Sequence, residues 1–173
     1  PLYAISLYNH PYYDDYGFSA KAHQAWRDTG SVGAVLRAAW ESAAKTRQSW
    51  QGTYTGTLLS NVQPGIFSER LYFIGTFVLL TAFIACFLYF FTVVFGRLGM
   101  DRTGRWTLGC LAVTLMIQFM PDAGEAFFWF NGGIGNTFIY SLMALAAALM
   151  VRLAEAKGRA VGLTAALCVL MVL

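Results

Sequence analysis

LYFIGTFVLLTAFIACFLYFFTVVF, residues 71–95, is a stretch of 25 positions without one charged side chain. As a helix rising about 1.5 Å per residue it would reach roughly 37 Å, which crosses the hydrocarbon core of a bilayer with tilt to spare. It predicts a complete membrane crossing, with Ser68 as its cap. The rest of the chain has the same character: of 173 residues 57% are hydrophobic and 12% charged, against about one quarter charged in an ordinary soluble domain. The fold class expected is all-α, a polytopic bundle of membrane helices.

Downstream of that run, Arg97, Arg102 and Arg105 stand against Asp101 in a short connection. A second span is expected from Trp106 to Met120, a third from about Thr137 to Val151 and a fourth over 160–173. Between the second and third lie the interruption Pro121-Asp122-Ala123-Gly124-Glu125, the aromatic run Phe127 to Phe130, and the glycine-rich 131–136, read together as a loop. Arg152, Lys157 and Arg159 stand against Glu155 before the last span. If each apolar run crosses once, both arginine-rich connections share a side, and the positive-inside rule makes that side cytoplasmic. Residues 9–70 and 121–136 then lie together on the outer face. The net charge of +3 belongs to this topology and carries no nucleic-acid footprint. Cys86, Cys110 and Cys168 sit in apolar runs without metal-ligand spacing.

Upstream, the apolar octapeptide 1–8 is too short to cross a bilayer and carries no basic leader, so it reads as the exit end of an earlier span. The chain opens on Pro1 and closes inside an apolar run, as a piece of a longer protein would. The polar stretch His10-Pro11-Tyr12-Tyr13-Asp14-Asp15-Tyr16-Gly17 follows and holds the only adjacent acidic pair. Ser19 is expected to cap a helix over 20–29 with Gly30 just past its end. Ser31 is expected to cap another, whose apolar stripe, Val35, Leu36, Ala39, Trp40, Ala43 and Ala44, opposes Arg37, Glu41 and Lys45. Such an amphipathic helix suits a membrane surface or a protein neighbour. Trp50 to Gly56 reads as a loop or broken helix ahead of the Pro64-Gly65 break.

An acidic pair at a membrane boundary can take a proton from a hydroxyl, or hold a divalent cation against a phosphate, and partial burial raises the pKa of one member. Asp14 and Asp15 are the candidate catalytic residues and the candidate ligands of magnesium or manganese, oxygen donors favouring these over zinc. Asp122 and Glu125 can meet them across the outer surface. Lys21, Arg27, Arg37, Lys45, Arg47 and Arg70 are cations for a lipid phosphate, and tyrosine and tryptophan rings, among them Tyr16 and Trp50, suit sugar faces. The plain alternatives are a solvated turn for the pair, helix-end charges for Asp122 and Glu125, and an interfacial belt for 127–130.

The acidic pair after a first span, the large outer loop and the second outer acidic group resemble the GT-C superfamily of polytopic glycosyltransferases. More narrowly, Asp14-Asp15-Tyr16, Trp50-Gln51-Gly52 and Glu125-x-x-Phe128-Trp129-x-x-Gly132 resemble the bacterial DUF6056-type and O-antigen glucosyltransferase-like membrane proteins. Those relatives are expected to carry an arginine where this chain has Thr53. The resemblance implies sugar transfer from a polyprenyl-phosphate donor to a glycan or lipid acceptor, outside the bacterial plasma membrane. Asp14 or Asp15 would be the general base, and Asp122, Glu125, Trp50, Tyr16 and Arg47 would bind substrate. A transporter or flippase component and a non-catalytic membrane scaffold are the other classes; the spans lack the mid-membrane charges that favour transport.

Overall fold

The computed structural model describes residues 1–49, 54–156 and 160–172, and every regular element among them is helical. Trp50, with Gln51 to Thr53 of the same motif, lies outside the described residues, as do Lys157 and Arg159. By its internal contacts the chain divides into two units, Pro1–Leu80 with Asp122–Thr137, and Thr81–Pro121 with Phe138–Leu173.

In the first unit, α1 (Leu2–Ser6) leads through 7–14 into α2 (Asp15–Thr29), which ends on Gly30 in the left-handed conformation at φ 61°. The serine expected to cap α2 lies inside it instead. Ser19 hydroxyl bonds back to the Asp15 carbonyl at 2.5 Å and the helix starts four residues earlier, so Asp15 occupies its first turn. A carboxylate suits that place, near the positive end of the helix dipole. α3 (Val32–Ser49) buries only Val35, Ala39 and Ala43, one residue per turn. Its Val32, Leu36 and Trp40, also spaced by four, remain exposed, so the apolar stripe is split between core and surface. α4 (Tyr54–Asn61) is a regular helix at residues 54–56, where the hydroxyl-rich texture suggested a loop or broken helix. Ala22, Val35 and Ile66 form a small core flanked by Trp26 and Phe67, whose rings meet edge to face at 4.9 Å.

Two 3-10 turns, Pro64–Ile66 and Glu69–Leu71, precede α5 (Phe73–Arg97). Ser68 makes no side-chain cap bond. The expected loop 121–136 is mostly helical, in an unusual form. Wide π turns at Gly124–Phe128 and Gly133–Phe138 flank one α turn, α7 (Phe130–Gly132), and the chain is extended at Trp129 between them. The glycines here answer close approaches: a Cβ on Gly132 would sit 2.2 Å from the Trp129 ring, and one on Gly133 would sit 2.5 Å from Leu79. Widened turns of this kind frequently mark functional sites.

The second unit holds the rest of α5 with α6 (Arg102–Gln118), α8 (Ile139–Glu155) and α9 (Val161–Val172). Asp101 caps α6 by accepting the Gly104 N–H at 3.1 Å. Phe83, Phe87, Phe91 and Phe95 follow one another along α5 with ring centroids 4.7 to 6.4 Å apart. Gly109 admits Leu88 to within 3.0 Å of where a Cβ would stand, which brings α5 and α6 close. Two helical runs, Glu69–Arg97 and Phe130–Glu155, are long and apolar enough to cross a membrane. Of the other two expected crossings, α6 is 17 residues long and carries Arg102 and Arg105, and the apolar part of α9 is shorter still.

Candidate functional site

The site forms in the first unit, where the 12–15 turn, the head of α5 and the 128–131 segment converge. Tyr12 to Asp15 is a tight turn in which the Asp15 N–H donates to the Tyr12 carbonyl at 3.1 Å and the Tyr12 N–H donates to Asp15 Oδ2 at 3.1 Å. Tyr13, at its apex, has φ 52°, rare for a bulky side chain and costing of order 1–3 kcal/mol. Its ring meets Trp129 edge to face at 5.5 Å. Asp14 and Asp15, adjacent in sequence, leave this turn in different environments.

Asp15 is fully buried. Oδ2 also accepts the Tyr72 hydroxyl, and Oδ1 accepts the Asn131 N–H at 3.1 Å. Tyr72 in turn accepts the Phe130 N–H at 3.0 Å and stands 3.2 Å from the Phe128 carbonyl. Behind the turn, Gln63 Nε2 donates to the Asp15 carbonyl and to Ser19 Oγ, both at 2.9 Å. Burial pushes the Asp15 carboxyl above the usual carboxylate range. The hydrogen bonds from Tyr72 and from the Tyr12 and Asn131 N–H groups pull it back only in part, and the neighbouring Asp14 charge adds to the rise. This carboxylate pins two remote backbone segments to its own.

Asp14 is half-buried, and its Oδ1 accepts Trp129 Nε1 and Asn131 Nδ2, each at 3.0 Å. Its Oδ2 takes no hydrogen bond among the described residues and is not buried. Asn131 thus ties the pair together, its main chain on one acid and its amide on the other, while its own Oδ1 is buried without a partner. Asn9 completes the frame, donating to Thr76 Oγ1 at 2.9 Å and to the Phe128 carbonyl at 2.8 Å.

Asp122 and Glu125 are exposed and stand together in a cleft of about 340 Å³, with Asn9, His10, Tyr12, Phe128 and Trp129 also in its wall. Tyr12 and Trp129 link that cleft to the acid pair. Asp122 Oδ1 accepts the Glu125 N–H at 3.0 Å, so it also starts the π turn. Tyr16 lines a separate cleft of about 320 Å³ with His23, Gln63 and Glu69, where partial burial and then the Glu69 carboxylate push its phenol up. Arg47 is exposed at the end of α3, over the Tyr54 ring at 5.7 Å, and lines neither cleft.

Both Asp15 oxygens are taken by protein donors, which leaves Asp14 Oδ2 as the oxygen of the pair open to the expected magnesium or manganese ion, the rest of whose shell would come from water and a substrate phosphate. Among the described residues no three His, Cys, Asp or Glu side chains gather as a ligand set.

Tyr72, Asn131, Asn9 and Gln63 were not singled out in the sequence. Tyr72 is hidden at the head of an apolar run and Asn131 in a glycine-rich segment. The only local signal was a polar group in a stretch that had no other need of one. Comparison with protein-family models, with curated proteins and with solved structures finds no match.

Proposed function

We propose that this protein is a membrane-embedded glycosyltransferase of the GT-C type, which moves a sugar from a polyprenyl-phosphate donor to a hydroxyl of a glycan or lipid acceptor. The observation that carries the reading is Asp14: a carboxylate with one oxygen anchored by Trp129 and Asn131, the other free, beside a cleft holding two more acids. General-base catalysis needs a carboxylate held still with an oxygen available to the substrate, and contributes typically about 10²–10⁴ in rate.

In the step proposed, Asp14 Oδ2 takes the proton of the acceptor hydroxyl as that oxygen bonds to the anomeric carbon. The bond from this carbon to the phosphate oxygen breaks, and its electron pair leaves with the polyprenyl phosphate. Asp15 is a positioning residue, holding Asn131 and the Tyr12 turn. Asp122 and Glu125 accept hydrogen bonds from acceptor hydroxyls, Tyr12 and Trp129 offer ring faces to the sugar, and His10, the basic side chain in the cleft wall, meets the leaving phosphate.

Membrane insertion is supported by the runs Glu69–Arg97 and Phe130–Glu155 and by the exposed stripe Val32, Leu36 and Trp40, which suits a lipid interface. The clustering of arginines in the two short connections supports, by the positive-inside rule, an outer-face position for residues 9–70 and 121–136 in a bacterial plasma membrane. The reading is tested by presenting membranes that carry the protein with a labelled sugar on polyprenyl phosphate and, separately, on a nucleotide. Transfer from the lipid-linked donor alone is expected, with Glu125→Gln raising the acceptor KM. Transfer from neither donor would leave a non-catalytic scaffold as the better account.

A further inference from the structure

Within the second unit, the end of α5, the start of α6 and the end of α8 enclose a cavity of about 740 Å³, inside the ~300–1,000 Å³ range of small-molecule sites. Arg97, Arg102, Arg105 and Arg152 all line it, against Glu155 as the single acid, a formal balance of +3. The glutamate is engaged by Arg97 at 2.5 Å, and Arg152 donates to the Tyr89 hydroxyl at 3.1 Å. Arg102 and Arg105 have no acidic partner within 4.0 Å among the described residues. Gly96 leaves room for the Arg105 guanidinium, whose Nη1 lies 2.8 Å from where a Cβ would stand. On α5 the lining continues from Arg97 back along the helix to the apolar Val93, Leu88 and Ala85. The positive-inside rule asks only for basic residues in a connection; it does not ask that four from two connections line one cavity with an oily wall.

We propose that this cavity binds the phosphodiester headgroup of an anionic phospholipid, with its acyl chains along the Ala85, Leu88 and Val93 wall. Guanidinium groups match phosphate oxygens in paired hydrogen bonds, and basic pockets between membrane helices hold such headgroups. The inference takes from the proposed function only that these helices lie in a membrane. A free phosphate anion shares the headgroup chemistry but has no use for the apolar wall.

The test uses the full chain in mild detergent, exposed to vesicles of phosphatidylglycerol or phosphatidylcholine, with bound lipid counted by native mass spectrometry. Preference for phosphatidylglycerol is expected, falling about fivefold for Arg102→Gln or Arg105→Gln and about 30-fold for both together, at about 1 kcal/mol per arginine. The Arg102→Lys and Arg105→Lys pair keeps most of the preference, which separates charge from misfolding. Asp14→Asn keeps it in full even if sugar transfer is lost, so this inference and the glycosyltransferase reading fail separately. Equal retention of the two lipids, or an unchanged preference in the double Gln variant, overturns the proposal. Saturable inorganic phosphate binding that abolishes the lipid preference at millimolar concentration overturns the lipid as its source.

Discussion

Asp15→Asn leaves the size of the buried side chain almost unchanged and removes half of its accepting capacity. The carboxylate receives three donors, the Tyr12 N–H and Tyr72 hydroxyl on Oδ2 and the Asn131 N–H on Oδ1. With the amide oxygen in the Oδ1 place, the new NH₂ faces Tyr72 and the Tyr12 N–H. Tyr72 can accept it and swing its own hydrogen to the Phe128 carbonyl 3.2 Å away, but the Tyr12 N–H is orphaned. Turned the other way, the amide orphans the Asn131 N–H. One backbone donor is therefore left unpaired in either orientation, at about 1–3 kcal/mol, less what is recovered by no longer burying a charge. The pH dependence has a definite sign. Because the folded-state value of Asp15 lies above its ordinary 3.8, its contribution to stability is fully present below that value and lost as pH rises through the raised one. The deficit of Asp15→Asn relative to wild type should thus be largest near pH 4 and shrink toward neutrality. Unfolding of the purified protein in mild detergent, followed by near-ultraviolet circular dichroism from pH 4 to 8, reads both quantities. A variant as stable as wild type throughout, or a deficit that grows with pH, would refute the proposed burial and pairing of Asp15.

Tyr72→Phe removes the acceptor of the Phe130 N–H and one donor to Asp15, so it should cost about 1–3 kcal/mol in the same assay, although Tyr72 stands in an apolar run. Gly132→Ala should displace the Trp129 indole from Asp14, since the added methyl would lie 2.2 Å from the ring; overpacking of this kind costs about 1–3 kcal/mol. A shift in tryptophan emission is the readout. Gly135→Ala is its control and should be silent, because no atom lies within 4 Å of that Cβ.

How much of this was legible in the sequence follows from the range of the interactions involved. The helical class was, because a charge-free stretch such as 71–95 announces itself locally. So is the adjacency of Asp14 and Asp15, the only adjacent acids. Their different environments are not: neighbouring positions at a helix start point to different sides, and which side is buried depends on Tyr72 and Gln63, 57 and 48 residues from Asp15. The helical form of 121–136 is hidden for the same reason. Its glycines look like flexibility, but the structure uses their missing side chains to seat Trp129 and Leu79. Serine favours caps, which makes Ser19 one on sequence grounds, whereas here a bond to the Asp15 carbonyl and a partner in Gln63 hold it within the helix.

The most direct measurement is the rate of sugar transfer from polyprenyl phosphate by Asp14→Asn, normalised to folded protein in the same membranes. The amide can still accept from Trp129 and keeps its shape, yet it cannot take a proton. A fall of about 10²–10⁴ with the fold intact is the result expected of a general base. Transfer at the wild-type rate would contradict it and leave Asp14 a structural partner of Trp129 and Asn131.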